Sequence, residues 1–366
     1  MLTLFIVSSG FVVYSYLGYP LLCFLRARLW PVAIARAPIR PSVSVLIAAH
    51  REAHTIAKKL ASLARQSYPA SLTEVVIVCD GSDDGTEAAA RQAGAAFEAR
   101  CSILVLPHGG KPTALNRAAL AASGEVLIFT DARQTLSPDA IVQLVERLAD
   151  PSLGAVSGQL VLTGDAPVSA YWKYEAAIRR AEGTSGSTIG VSGALYALRR
   201  ELYWPLPPET ILDDLLVPMR VRLRNLRVGF APEAQAIDQA VPSDREFYRK
   251  VRTLAGNFQL LLLEPALLLP WRNPSWFDFC SHKLSRLLVP YALLAMLIAS
   301  ALLAHPFGVV LFGAQLAGYA VGILCLLRLL PRWKLLALGE TFCLLNAAAV
   351  VGLFRFLCYG RRIPWR

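Results

Sequence analysis

The stretch Val75-Val76-Ile77-Val78-Cys79-Asp80-Gly81-Ser82-Asp83-Asp84-Gly85-Thr86 decides how the chain is read. Its five leading residues are apolar and mostly β-branched, which predicts a strand buried on both faces, the kind found in parallel sheets. The acids and glycines that follow predict a tight turn and then a helix from Thr86. Ligands of such sheets collect beyond the carboxyl ends of the strands. Asp80 is therefore a candidate acceptor of hydrogen bonds from a base or ribose; the alternative is a solvated turn in which Asp84 or Thr86 caps the helix.

On either side, residues 43–49, 103–106 and 126–130 read as further strands and 53–65 and 114–122 as helices, so the expected unit is an α/β domain with a largely parallel sheet. Gly109, Gly110 and Lys111 follow the third strand, and Lys111 offers a compact charge to phosphate, although surface loops look similar. The strand 126–130 runs into Asp131-Ala132-Arg133. An Asp-x-Asp at that edge would hold a divalent cation, and here Arg133 stands where the second acid would be; the alternative for Asp131 is a helix cap.

Beyond residue 155 the pattern is less regular: a strand through Val161, a helix over 172–180, a Gly-rich stretch over 183–193, a helix over 214–223, a short strand near 228–231 and a basic helix from Asp244 to about Gly256. Asp213 and Asp214 open the 214–223 helix either as N-caps or as a carboxylate pair in which each raises the other's proton affinity, as a general base requires. Arg249 and Arg252 share a helix face, where they cover phosphates or meet solvent and headgroups.

With 55% hydrophobic and 17% charged residues, the chain of 366 residues is too apolar for a wholly soluble protein. Residues 1–25 carry no charged side chain, 287–327 are 41 residues without one, and 335–354 are broken only by Glu340. About 20 apolar residues cross a bilayer, so the 41-residue run suffices for two crossings that reverse near His305 and Pro306. The first segment has no basic leader and reads as an uncleaved anchor. Arg26, Arg28, Arg36 and Arg40 behind it place the following domain on the cytosolic side. The apolar segment 258–269 is too short to cross and reads as interfacial. The net charge of +11 is largely membrane-flanking (Arg26, Arg28, Lys283, Arg286, Arg328, Arg332, Lys334, Arg361, Arg362), and no nucleic-acid-binding signature accompanies it. The seven cysteines have no metal-ligand spacing and read as small buried hydrophobes.

In order and spacing, these motifs resemble the family 2 glycosyltransferases, particularly the membrane-bound synthases related to cellulose, chitin and hyaluronan synthases, over residues 41–257. The resemblance implies a GT-A, Rossmann-like catalytic domain that inverts the sugar's anomeric carbon. It makes Asp80 a nucleoside contact, Lys111 a donor-site cation, and Asp131 the first Asp of the family's Asp-x-Asp, near ribose, diphosphate and Mg²⁺ or Mn²⁺. Asp214 matches the base that deprotonates the acceptor, with Asp213 as the acid before it. Arg249 and Arg252 match the Gln-x-x-Arg-Trp element, and Ser192 and Gly193, followed by Arg199 and Arg200, match the acceptor-side segment. Arg133 implies a weaker dependence on metal, and Thr253 where the family has Trp puts processivity in question.

The organisation expected is an anchor over 1–28, a cytosolic GT-A domain over 41–243, interfacial helices with the Arg-x-x-Arg element over 244–282, a C-terminal transmembrane region over 283–358 and a basic tail over 359–366, in the cell membrane. Three C-terminal crossings would put that tail outside, against the positive-inside bias. The partners implied are a nucleotide sugar (a UDP-sugar), a glycan or lipid-linked acceptor, the bilayer and export subunits, with no nucleic acid. The rival readings are a non-processive transferase acting on a lipid-linked acceptor and a non-catalytic subunit that binds nucleotide sugar.

Overall fold

The computed structural model describes residues 1–163, 170–239, 246–327, 329–330 and 334–362. Residues 244–245 of the expected basic helix, the flanking cations Arg328 and Arg332, and the tail from residue 363 lie outside these. Among the described residues, eight strands form one sheet: β1 Val43–Ala49, β2 Thr73–Asp80, β3 Arg100–Leu106, β4 Val126–Phe129, β5 Thr135–Leu136, β6 Leu153–Thr163, β7 Tyr196–Arg199 and β8 Arg227–Gln239, in the order β3-β2-β1-β4-β7-β6-β8-β5.

Strands β3, β2, β1 and β4 are parallel. The parallel pattern stops at β7, which is antiparallel to both β4 and β6. β7 follows directly on the Gly-rich segment, where Leu195 N–H bonds Ser192 O. The second half is thus a mixed sheet, and β8, expected as a short strand, runs for 13 residues along β6 and β5.

Side chains alternate across the sheet. Val45, Ile47, Val75, Ile77 and Cys79 face a core shared with helices Ile56–Ala64 and Ala140–Val145. Leu46, Val76, Val78, Leu127 and Phe129 face the opposite core, with helices Lys111–Ala121 and Asp213–Leu223. Each fully buried Ile or Val contributes about 1.5–3 kcal/mol, which is why these strands read as unbroken apolar runs. Leu260 and Leu267, from the segment expected at the interface, lie in this second core; helix Glu246–Leu263 contributes the first of them, and a 3₁₀ turn, Pro265–Leu268, the second.

Among the described residues, four helices flank the sheet domain, Leu2–Leu29, Trp276–Ala301, Pro306–Leu326 and Leu336–Tyr359, each long and apolar enough to cross a membrane. The second and third reverse at His305, whose Nδ1 accepts from Phe307 N–H at the N-terminus of Pro306–Leu326. A polar knot ties the first two to the domain. One oxygen of buried Glu182, on helix Ala170–Thr184, accepts from both the Tyr19 hydroxyl and His282 Nδ1, each at 2.7 Å. Arg26 pairs with Asp278 at 2.6 Å across the same junction.

Candidate active site

Asp80 ends β2 and is 3% exposed. Its carboxylate accepts from Gly109 N–H at 2.6 Å and Gly110 N–H at 2.9 Å, so the two loops after β2 and β3 are stitched together at the sheet edge. Gly81 has φ +59° and a Cβ there would fall 2.6 Å from the His108 backbone, so this close approach requires glycine. His108 Nδ1 lies 3.1 Å from Asp80 Oδ2, and His50 Nδ1 donates to Asp80 O at 2.7 Å. The ligand atoms of His50, Asp80 and His108 lie within 4.8 Å of one another, a spacing open to a metal ion.

Gly110 carries the chain directly into helix Lys111–Ala121, which starts earlier than its apolar pattern indicates because Pro112 suits a first turn. Lys111 Nζ then lies 3.0 Å from Asp131 Oδ1 and 3.3 Å from Asp213 Oδ2, joining the end of β4 to the start of helix Asp213–Leu223. Burial works against the Lys111 charge, but Asp131, Asp213 and Asp214 outweigh it and hold its pKa above the ordinary lysine value. Neither Asp213 nor Asp214 lies at the N-cap, which is Leu212, with no side-chain capping bond.

Asp214 faces the Gly-rich segment. Val191 N–H bonds its carbonyl at 3.0 Å, and a Cβ added to Gly193 would stand 3.5 Å from its Oδ2. Burial first, and the neighbouring Asp213 charge second, push its carboxyl up to about 6, while Lys111, Arg179 and Lys283 pull the other way. Ser192 is buried beside it, its N–H bonded to Ser157 Oγ at 2.9 Å. Burial lowers the pKa of Arg252, with Asp213 and Asp214 opposing, so its guanidinium also addresses this carboxylate pair. Arg249 is exposed on the same helix.

Arg133 turns to β8, where Nε and Nη2 donate to Asp238 Oδ2 at 3.0 and 2.5 Å. The structure therefore brings Asp80, Lys111, Asp131, Asp213, Asp214, Arg252 and Gly193 around one edge of the sheet, and leaves Arg133 tied to a neighbouring strand.

Several residues at this edge carry little sequence signal. Lys59 is fully buried beneath the Asp131 loop and donates to Thr130 Oγ1 at 2.5 Å and Gln134 O at 3.0 Å. Burial drives its pKa down to about 7. Its position on the apolar face with Ile56, Leu60 and Leu63 is the signal that could have found it. Arg179, Lys283 and Asp238 have none, because only the folded chain brings them to the site.

Residues 44–206 match the family model for glycosyl transferase family 2. An N-acetylglucosaminyltransferase of Rhizobium leguminosarum bv. trifolii is 33% identical over 124 residues, covering 33% of this chain and 68% of that protein. A poly-beta-1,6-N-acetyl-D-glucosamine synthase of Staphylococcus epidermidis is 25% identical over 204 residues, covering 52% of this chain and 48% of the synthase. The match to a further N-acetylglucosaminyltransferase, of Rhizobium leguminosarum bv. viciae, spans 30% of that protein's length. A mannosyltransferase of Pyrobaculum calidifontis, solved with GDP-Man and Mn²⁺, superposes with a TM-score of 0.76 at 25% identity, over 97% of this chain and 99% of the other. The sheet domain has the GT-A architecture, and the chain belongs to glycosyltransferase family 2.

Proposed function

We propose that the chain is an inverting glycosyltransferase that moves a sugar of the N-acetylhexosamine class from a UDP-sugar to an acceptor hydroxyl at the membrane. The observation that carries this reading is the single lysine, Lys111, bridging Asp131 and Asp213 beside the buried, proton-avid Asp214. The names of the relatives support the sugar class.

In this reading Asp80 meets the nucleoside, while Asp131 and Lys111 face the diphosphate. Asp214 takes the acceptor O–H proton, the oxygen bonds to the anomeric carbon, and the carbon–oxygen bond to the diphosphate breaks with its electron pair leaving on phosphate. Lys111 and Arg252 are fixed cations on the side where that charge develops, and such preorganised charges are worth several kcal/mol in a water-poor site. In the same reading the acceptor meets Asp214 beside Ser192 and Gly193, where an added Cβ at Gly193 would stand 3.5 Å from Asp214 Oδ2.

The donor set fits a divalent cation carried by substrate. Lys111 engages one Asp131 oxygen, and an ion such as Mg²⁺ commonly takes one or two carboxylates with substrate phosphates completing its shell. Asp131 would hold Mg²⁺ or Mn²⁺, which when bound supplies charge neutralisation for the leaving diphosphate. In the same reading residues 1–28 anchor the protein, residues 41–243 lie in the cytosol, residues 244–282 follow as helices at the membrane face, residues 283–358 return to the bilayer, and residues 359–366 are a basic tail.

Incubating membranes that contain the chain with a panel of radiolabelled UDP-sugars tests this: one sugar is expected to enter product, and Asp214→Asn to abolish its entry. If no UDP-sugar is turned over, or if the variant turns over as fast as wild type, the enzyme reading fails in favour of a binding subunit.

A further inference from the structure

On helix Ala170–Thr184, Glu175, Arg179 and Glu182 share one face, at i, i+4 and i+7. Opposite them, His282, Lys283 and Arg286 project from the helix Trp276–Ala301. Both carboxylates are consumed across this junction: Glu175 by Arg286 and, at 3.3 Å, His282 Nε2; Glu182 by His282 Nδ1 at 2.7 Å and the Tyr19 hydroxyl. Arg179 and Lys283 are left over. Among the described residues neither makes a hydrogen bond or an ion pair; Lys283 lies within Coulombic reach of Glu175, Arg179 and Glu182, and both cations lie within reach of Asp214.

Two like charges held together in a half-buried junction repel, at a cost that a bound anion reverses. Their height fits a lipid. The helix bearing Lys283 spans 26 residues, about six more than the hydrocarbon requires, and Lys283 lies within two turns of its start, where headgroups stand. We propose that Arg179 and Lys283 form a phosphate subsite that holds the acceptor by an anionic lipid group, so that the acceptor is a sugar linked through phosphate to a membrane lipid. The inference rests on the transferase reading above and names its acceptor class. The phosphate is a handle and does not react: a phosphate nucleophile has no proton to give up, whereas Asp214 is built to remove one from a hydroxyl. The bonds formed and broken are those already described, at the sugar hydroxyl of this glycolipid.

The test uses the full chain in nanodiscs with radiolabelled UDP-N-acetylglucosamine and three acceptors: N-acetylglucosamine linked through diphosphate to a prenyl chain, the same prenyl glycoside without phosphate, and soluble N-acetylglucosamine 1-phosphate. Transfer is expected to favour the first over the second by tenfold or more in kcat/KM. In Lys283→Ala and Arg179→Ala that preference is expected to collapse, with Lys283→Arg retaining it and UDP affinity unchanged throughout. The soluble phosphate is expected to compete weakly; if it serves as well as the lipid, the phosphate comes from solution and the lipid assignment is overturned. Equal use of the phosphate-free glycoside, or a loss of UDP affinity in the alanine variants that matches the loss of acceptor use, overturns the subsite. Failure of the transferase reading itself looks different, since no acceptor is then glycosylated although UDP binds.

Discussion

Lys111 Nζ stands 3.3 Å from Asp213 Oδ2, although about a hundred positions of chain separate the two residues, because each opens a helix packed on the same face of the sheet. The same ammonium meets Asp131 at 3.0 Å, so one side chain sets the spacing between the edge of β4 and the helix that presents Asp214. That arrangement makes the acid and base behaviour of the site measurable.

In the proposed reading Asp214 is the base, a role open to it only when ionised. With its carboxyl at about 6, kcat/KM is expected to fall below pH 6 with unit slope and to level above it. Asp214→Asn should lose roughly 10²–10⁴-fold in kcat while retaining UDP affinity. A pH profile flat through this range would remove Asp214 from the chemistry.

Lys111 is among the charges that hold Asp214 down, so removing it raises the carboxyl further. In Lys111→Met the acidic limb of the pH profile is expected to move to higher pH, alongside a loss on the order of 100-fold in kcat/KM for donor. Rate profiles of the two proteins, recorded side by side, check the direction of the shift.

In the proposed reading Lys111 and Arg252 already supply positive charge on the diphosphate side, and Arg133, tied to Asp238, leaves Asp131 without a second carboxylate beside it. Exhaustive chelation is expected to lower transfer but leave a measurable rate, restored by Mn²⁺ or Mg²⁺. Complete and reversible loss on chelation would assign the whole of the leaving-group stabilisation to metal.

Lys59 gives a stability prediction whose sign can be worked out. Burial lowers its pKa from 10.5 to about 7, so between those values the unfolded chain carries a proton that the folded chain lacks. Stability therefore rises with pH across this window, by up to about 1.4 kcal/mol per unit, and the cost is complete below pH 7. The thermal midpoint in detergent should climb with pH in wild type and less steeply in Lys59→Met. Identical slopes would show that Lys59 stays charged inside.

The features legible in the sequence were those with a local cause. Asp80 and Asp131 stand at the carboxyl ends of buried parallel strands, and apolar runs alone indicate where such strands stop. Lys111 was visible as the cation after a glycine pair, and the Asp213–Asp214 pair as an acidic helix start. Less was visible where a neighbour distant in the chain decides the outcome. Strand β7 is only four residues long, too short for any periodicity to announce it. Arg133 reads as a donor-site charge until Asp238, on a strand 105 residues later, takes it up. Lys283 reads as an ordinary flanking cation, and Arg179 carries no signal at all, until two helices come together.

The Glu182 oxygen that accepts from both Tyr19 and His282 has a consequence for product length. Three parts of the chain meet on that atom, so the sheet domain cannot slide against the first two apolar helices without breaking it. In the proposed reading, a phosphate held by Arg179 and Lys283 would then stand at a fixed offset from Asp214, and the gap would act as a ruler: an acceptor of one length would reach it, and a product longer by a sugar would overshoot.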